Sequence, residues 1–376
     1  MYEIRQATVA DWPLLDIFIR SCYGADAHYK RAVRWRWQFI DTPYGSGGHA
    51  APVWIALHEG HVVGQIALQP AEVRIEGTLH GASWIVDVMV DPAHRGVGLG
   101  HQIHDAIKAT GQTLFTLTMA EATRRIAMRA GCITLGSVNQ MVRVQSFSGR
   151  TITTLVAQRT EPRPGWRAAG RVFNGTRIGP AAVAELVSAA AGLRIRTSAR
   201  RNAGDNRSVH DVTQFNVEAI DEIARVCAAK MPALFDRSSK FCQWRFRAVP
   251  DLAYRTAEFR RDGAVAGVAV CRLPDAAELP VGILTDVMVD PEDSIALDTL
   301  VAHAIENMAG KCEAIAAGAS HPAHVAALSR AGFVTVKRHR PTVVTTDTAL
   351  SGAIARLKDQ WHLTKADHDW DQIHPA

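Results

Sequence analysis

No stretch of this 376-residue chain is apolar for long enough to cross a membrane, and its first residues, MYEIRQATVADW, have no basic end followed by an apolar core. Both absences predict a soluble, cytoplasmic protein without a membrane span. Cysteine is sparse. Cys22, Cys132, Cys227, Cys242, Cys271 and Cys312 are scattered with no Cys-x-x-Cys pair, which signals neither a disulfide framework nor a zinc site and predicts reduced thiols. Lysine is missing between Arg150 and Arg207, where eleven arginines face only Glu161, Glu185 and Asp205. The excess of +8 there exceeds the +5 of the whole chain, so the remainder sums to about −3. Few aromatics interleave with these arginines, which argues against a nucleic-acid partner and leaves a solvated connector or a surface that attracts phosphorylated ligands. Turn-forming runs at Glu161–Gly165 and Arg201–Arg207 flank an expected helix from Pro180 to Leu193.

What the chain does have is an internal repeat. The hexamer Asp87–Pro92 returns unchanged at Asp286–Pro291, an offset of 199 residues. Trp35-Arg36-Trp37 resembles Trp244-Arg245-Phe246 (offset 209), His61–Gly64 resembles Ala264–Gly267 (203), and Arg129–Cys132 resembles Arg330–Phe333 (201). Two copies of one unit follow, 1–146 and 211–347, joined by an Arg-rich linker at 147–210 and followed by a tail at 348–376.

Within the first copy, strands are expected at Tyr2–Gln6, Val53–Glu59, Val62–Ile75, Ser83–Val90 and Thr113–Thr118, with closing strand material at Ile133–Phe147. Helices are expected at Val9–Arg20, with Asp11 as its cap, then at Tyr29–Phe39, at about Gly98–Thr110 and at Ala122–Ala130. That order predicts a mixed α/β fold with a mainly antiparallel sheet, without the regular alternation of a doubly wound fold. The second copy repeats it from Val212 to Thr346.

Between the Ser83–Val90 strand and its helix lies Arg95-Gly96-Val97-Gly98-Leu99-Gly100. Glycines let the backbone turn and approach a ligand, and a helix N-terminus favours an anion, so a phosphate or pyrophosphate is the expected guest. A dinucleotide fold needs glycine where His101 stands, and a P-loop needs Gly-Lys-Ser/Thr. Neither requirement is met.

The strand, the Val-Asp-Pro and the Arg-x-x-Gly-x-Gly at Arg95, Gly98 and Gly100 resemble the acetyl-CoA motif of the GCN5-related N-acetyltransferase (GNAT) superfamily. The resemblance implies two tandem acetyltransferase-fold domains. It implies that amides of Arg95, Gly96, Val97, Gly98, Leu99 and Gly100 hold the CoA pyrophosphate, and that Val88, Met89 and Val90 pair with the pantetheine arm of acetyl-CoA or another acyl-CoA. The second copy has Ser294–Thr299 in place of the loop, without glycine and with Asp293 and Asp298 where the pyrophosphate would sit; it resembles a degenerate domain that shapes an acceptor cleft. Trp35-Arg36-Trp37, Pro43-Tyr44-Gly45 and the tail Trp361–Trp370 resemble tandem bacterial members, some of which acylate amino groups on nucleotide-linked sugars.

The family's frequent tyrosine acid falls at Ala127, so that role cannot be carried over. Asp87, beside the expected thioester, and Glu121, at the end of the far strand, are the candidate bases; the presence of Asp286 in the degenerate copy also fits a purely structural Asp87. His94, His101 and His104 are mostly surface or cofactor-edge groups. Trp35, Trp37 and Tyr44 are candidate acceptor-binding aromatics, with a core role as the alternative. His321 and His324 can share a helix face, but Pro322 and the lack of a third ligand argue against a metal. The expected activity is acyl-CoA-dependent N-acylation of a small amine, with a non-catalytic acyl-CoA-binding or scaffold protein as the alternative.

Overall fold

Alternating apolar runs build a meander of β1 (Glu3–Thr8), β2 (Ala50–His58), β3 (His61–Ile75) and β4 (Thr78–Val90), close to the expected limits except that β4 begins at Thr78. Two-residue turns join the last three strands. Glu59-Gly60 and Glu76-Gly77 both have positive φ at each residue, the hairpin geometry that matches strand twist. The computed structural model describes residues 1–24, 31–45, 49–118, 124, 127–128, 131–145, 207–274 and 281–371. Most of the Arg-rich segment and the helix expected at Pro180–Leu193 lie outside them.

The first helix, α1 (Trp12–Tyr23), starts with Asp11 at its N-cap position, yet the Asp11 side chain does not cap it. The carboxylate instead accepts from the Thr8 N–H at 2.7 Å and from Arg5 at 2.6 and 2.9 Å. A fork of guanidinium donors is a stronger partner than a peptide N–H. It holds the Asp11 carboxyl well below the usual carboxylate range.

One compact unit comprises Met1–Ser137, Met231–Leu252 and Arg340–Trp361. Its sheet has the order β1-β2-β3-β4-β5-β15-β6, where β5 is Leu114–Thr116, β6 Ile133–Thr134 and β15 Thr342–Val344. Further along β3, β9 (Ala233–Phe235) adds to its edge and pairs in turn with β16 (Trp361–His362). α2 (Ala32–Phe39) places Gln38 against Gln69 of β3 at 3.0 Å, while the neighbouring Leu68 joins the core beneath α3 (Leu99–Lys108). Adjacent strand residues point to opposite faces, so α2 and α3 cover opposite sides of the sheet.

The other unit comprises Val138–Lys230, Ala253–His339 and His362–Ala376. Its sheet order is β14-β7-β13-β12-β11-β10-β8, with β7 Val138–Val144, β8 Arg207–Val212, β10 Tyr254–Arg261, β11 Ala264–Arg272, β12 Val281–Val289, β13 Ala314–Ala319 and β14 Val334–His339. Its helices are α4 (Val217–Lys230), α6 (Ser294–Met308) and α7 (Pro322–Arg330); α5 (Ser239–Phe246) and α8 (Thr348–Arg356) belong to the first unit. Among the ladders with a described register, the strands are antiparallel except for β4–β5 and β12–β13.

Repeat and compact unit therefore differ. β7, from the end of the first copy, pairs with β13 and β14, whereas β15, from the end of the second, pairs with β5 and β6. A short alternating strand satisfies either sheet equally well, so periodicity does not assign its partner.

The helices α2 and α5 correct the repeat alignment. They have equal length and begin 207 residues apart, which matches Trp37 with Trp244 and Phe39 with Phe246 instead of Trp35 with Trp244. The two matched indoles stack at 4.7 Å and 16°. Each donates to the other's carbonyl, Trp37 Nε1 to Trp244 O at 3.0 Å and Trp244 Nε1 to Trp37 O at 3.1 Å, as a two-fold-related pair does.

Candidate active site

The site is built on an irregularity in β4. Gln65 pairs with Met89 and Ala67 with Val86, so Ile66 alone opposes both Asp87 and Val88. This is a β-bulge, and Asp87 takes a positive φ of 50° within it. The ladder between β4 and β5 is short, with pairs only at Ser83↔Leu114 and Trp84↔Phe115. Beyond Trp84 the parallel strands part. The bulge accordingly lies on the β4 side of a wedge-shaped gap, where Val88 is 57 % exposed and Asp87 half-buried.

The chain then reaches the loop. Asp91 caps a single turn at Pro92–His94 by accepting from the Ala93 N–H at 2.8 Å, and Arg95 folds back to donate to the Val90 carbonyl at 2.9 Å. Gly96 and Gly98 have φ of 83° and 79°, left-handed values that a side chain would strain. Apart from the adjoining backbone, no atom of the described residues lies within 4 Å of where a Cβ would stand at either glycine. Gly98 is the N-cap of α3 and offers no side chain to its first amides. Those amides and the positive end of the helix dipole are thereby left for an anion in open space.

The second copy closes both features. Asp293 caps α6 with its own carboxylate, accepting from the Ala296 N–H at 3.0 Å and from Arg261 at 2.6 Å. Lys230 holds Asp290 and Glu292 at 2.7 and 2.6 Å, and Arg330 holds Asp298 at 2.7 Å. Although the hexamer is identical, the bulge has moved: Val270 pairs with Asp286 and Cys271 with Leu284, leaving Thr285 as the extra residue. Asp286 is buried and accepts from the Val287 N–H at 2.9 Å.

Among the residues singled out from sequence, Asp87, Val88, Met89, Val90 and Arg95–Gly100 are brought together along the gap and the loop. Glu121 lies outside the described residues. His94 is drawn away to Tyr2, 3.0 Å from its hydroxyl, and packs against His58; burial pushes His104 down from its usual value. Trp35 and Trp37 are 5 % and 4 % exposed, so their faces serve the core. Tyr44 donates to Asp236 at 2.6 Å and lines a cavity of about 400 Å³ with Gln6, Trp54, Glu72, Ser83 and Gln112. That cavity is at the Gly81–Ser83 end of β4, away from the bulge. His321, His324 and His362 cluster with ring separations of 4.6 to 6.0 Å, but no group among the described residues can hold a metal.

One polar group was missed. Tyr23, the last residue of α1, directs its hydroxyl to Asp87 Oδ1 at 3.4 Å. A lone tyrosine 64 positions earlier gives no spacing signal; only the bulge turns Asp87 toward it.

Residues 3–131 match the family model described as an acetyltransferase (GNAT) domain. No curated protein matches the sequence. Among solved structures, a GCN5-related N-acetyltransferase from Anabaena variabilis superimposes with a TM-score of 0.58 at 11 % identity, over 92 % of this chain and 73 % of that one. N-myristoyltransferase of Saccharomyces cerevisiae, solved with myristoyl-CoA, gives 0.56 at 10 % identity, over 92 % and 79 %. A tandem GNAT protein from the clavulanic acid biosynthesis pathway gives 0.52 at 14 % identity, over 92 % and 99 %. At these identities the likeness is one of fold. No described helix is long and apolar enough to cross a membrane.

Proposed function

We propose that this chain, whose residues 3–131 match the acetyltransferase (GNAT) domain model and whose fold resembles that of a tandem GNAT protein, transfers an acyl group from acetyl-CoA or a longer acyl-CoA to a small amine, with the chemistry in the unit that holds the glycine loop. The observation that carries this reading is the pairing of an uncapped helix N-terminus at Gly98 with a bulged strand beside an open gap. The Gly96–Gly100 amides bind the pyrophosphate, and the Val88–Val90 edge aligns the pantetheine arm.

In the reaction the amine nitrogen attacks the thioester carbonyl. The C–N bond forms, the C–S bond breaks, and the amine proton ends on the CoA sulfur. Alignment of the two substrates supplies much of the acceleration. Asp87 takes the amine proton directly or through water, and Tyr23, within reach of the same carboxylate, gives a proton toward the departing sulfur and recovers it from Asp87. No protein group is consumed.

An amine near pKa 8 suits a weak carboxylate base far better than a lysine near 10.4. The arginine excess between Arg150 and Arg207 suits an acceptor bearing phosphates, so a nucleotide-linked amino sugar is the acceptor class we favour. The test is thiol release from acetyl-CoA and longer acyl-CoAs against nucleotide-linked amino sugars, amino acids, polyamines and lysine peptides. A preference for lysine peptides would overturn the acceptor class, and absence of turnover with every amine would overturn the activity.

A further inference from the structure

The tail sits where the second unit would otherwise have a gap. In the first unit β4 and β5 separate after Trp84↔Phe115; the equivalent pair in the second is Ile283↔Ala316, and that ladder ends one step later at Leu284↔Ala317. At the far end of β13 the next partner comes from the tail: Ala319 bridges Thr364, the Ser320 N–H donates to Leu363 O at 3.1 Å, and the Leu363 N–H donates to Ser320 Oγ at 2.8 Å. The other edge of Ala319 is already paired with Asn139 of β7, so Thr364 takes the edge that β12 has left. What remains between Thr285–Val287, Ala317–Ala319, His324 and Thr364 is a cavity of about 20 Å³, room for about one water.

The inserted segment is polar, yet it is buried. Leu363 to Asp367 are each at most 3 % exposed and Asp371 is 0 % exposed. It folds on itself through Thr364 N–H to Asp367 Oδ2 at 2.8 Å, and it is tied at its end by Tyr254 to Asp371 Oδ2 at 2.7 Å and Arg272 to Asp371 O at 3.0 Å. The Trp370 ring stands against Gly318 of β13, where a Cβ would run into it. Gly318 thus admits the tail beside β13.

We propose that His362–Asp371 is the built-in occupant of the second unit's cleft: a peptide strand seated between β12 and β13 where the first unit keeps its gap for the acyl-CoA arm. The equivalence with the arm rests on the function proposed above, whereas the seating of the tail does not. With Asp293 at the helix N-terminus and the tail in the gap, both halves of a second acyl-CoA site are filled by the protein itself.

Amide hydrogen exchange on the full chain tests this, read by mass spectrometry and independent of acyl-CoA. In the wild-type protein the Leu363–Asp369 amides should be protected at least about 1000-fold relative to a free peptide, as interior strands are. Gly318→Val should lower that protection at least about 100-fold while β10 and β11 keep theirs, because the new side chain meets Trp370. Trp370→Ala, which adds no bulk, should loosen the same residues. Free-peptide exchange of the tail in the wild type would overturn the proposal, as would unchanged tail protection in both variants. Failure of the acyltransferase assay would leave this outcome standing.

Discussion

Replacing Lys365 by methionine should stabilise the protein at neutral pH, and the gain should vanish as pH rises. Lys365 is 1 % exposed, and its ammonium lies 4.2 Å above the Trp370 ring. Burial pushes its pKa down from 10.5 to about 8; Asp371 works against the shift and Arg272 with it. Below pH 8 the side chain is charged in both folded and unfolded protein, and the fold bears the full cost of the buried charge. Between about 8 and 10.5 the folded form is neutral while the unfolded form is still charged, so wild-type stability rises across that window. At about 1.4 kcal/mol per pKa unit the cost is about 3 kcal/mol. The contact with Trp370 offsets about 1 kcal/mol of it, and Met fills nearly the same volume, so Lys365→Met should gain about 2 kcal/mol at pH 7 and less than about 1 kcal/mol at pH 10. Urea unfolding of wild type and variant at both pH values measures the difference. A variant less stable than wild type at pH 7, or a difference that does not change with pH, would show that the charge is stabilised in place and refute the burial argument.

Other expectations concern the unit that holds the glycine loop. Isothermal calorimetry with acetyl-CoA should give close to one site per chain, and Gly98→Asp should abolish binding, since the new residue must adopt a φ of 79° and sets a carboxylate against the pyrophosphate. Unchanged affinity in a folded variant would remove the loop assignment. Asp87→Asn should lower kcat about 100-fold with little change in KM for acyl-CoA, and Tyr23→Phe should lower kcat about tenfold; a Tyr23→Phe enzyme with the wild-type kcat would remove the hydroxyl from the proton path.

Much of the first unit's site was legible because it depends on local sequence. Gly96 and Gly98 announce positive φ, Asp91-Pro92 announces the end of a strand, and the apolar spacing of Leu99, Ile103 and Ile107 announces the helix that follows. Features that depend on partners distant in the chain were not legible. The hydroxyl of Tyr23 reaches Asp87 only in the fold, the Trp37–Trp244 pair is set by mutual hydrogen bonds that no spacing encodes, and the tail's run of His, Lys and Asp has the composition of a solvated surface although it is buried. Polar residues enter a core when their hydrogen bonds are satisfied there, and satisfaction is a property of the neighbours.

The duplicated hexamer shows the limit most directly, since one sequence takes two forms. In the first copy the extra residue falls at Asp87, turning a carboxylate toward Tyr23 beside an open gap; in the second it falls at Thr285, and Asp286 stays in the ladder, buried. Identical residues cannot account for the difference, so it belongs to their surroundings. Facing strands differ, with Gln65 donating to the Asp87 carbonyl at 3.4 Å where the second copy has Val268, and the gap beyond β13 holds Thr364. An amide opposite the bulge can satisfy a peptide group that a displaced residue exposes, and valine cannot. Gln65→Val in the first copy therefore removes that amide from the facing strand. If the bulge is held there, acyl transfer should fall while acetyl-CoA still binds the intact glycine loop; equal loss of both would mean that Gln65 supports the whole strand end and that the position of the bulge is set elsewhere.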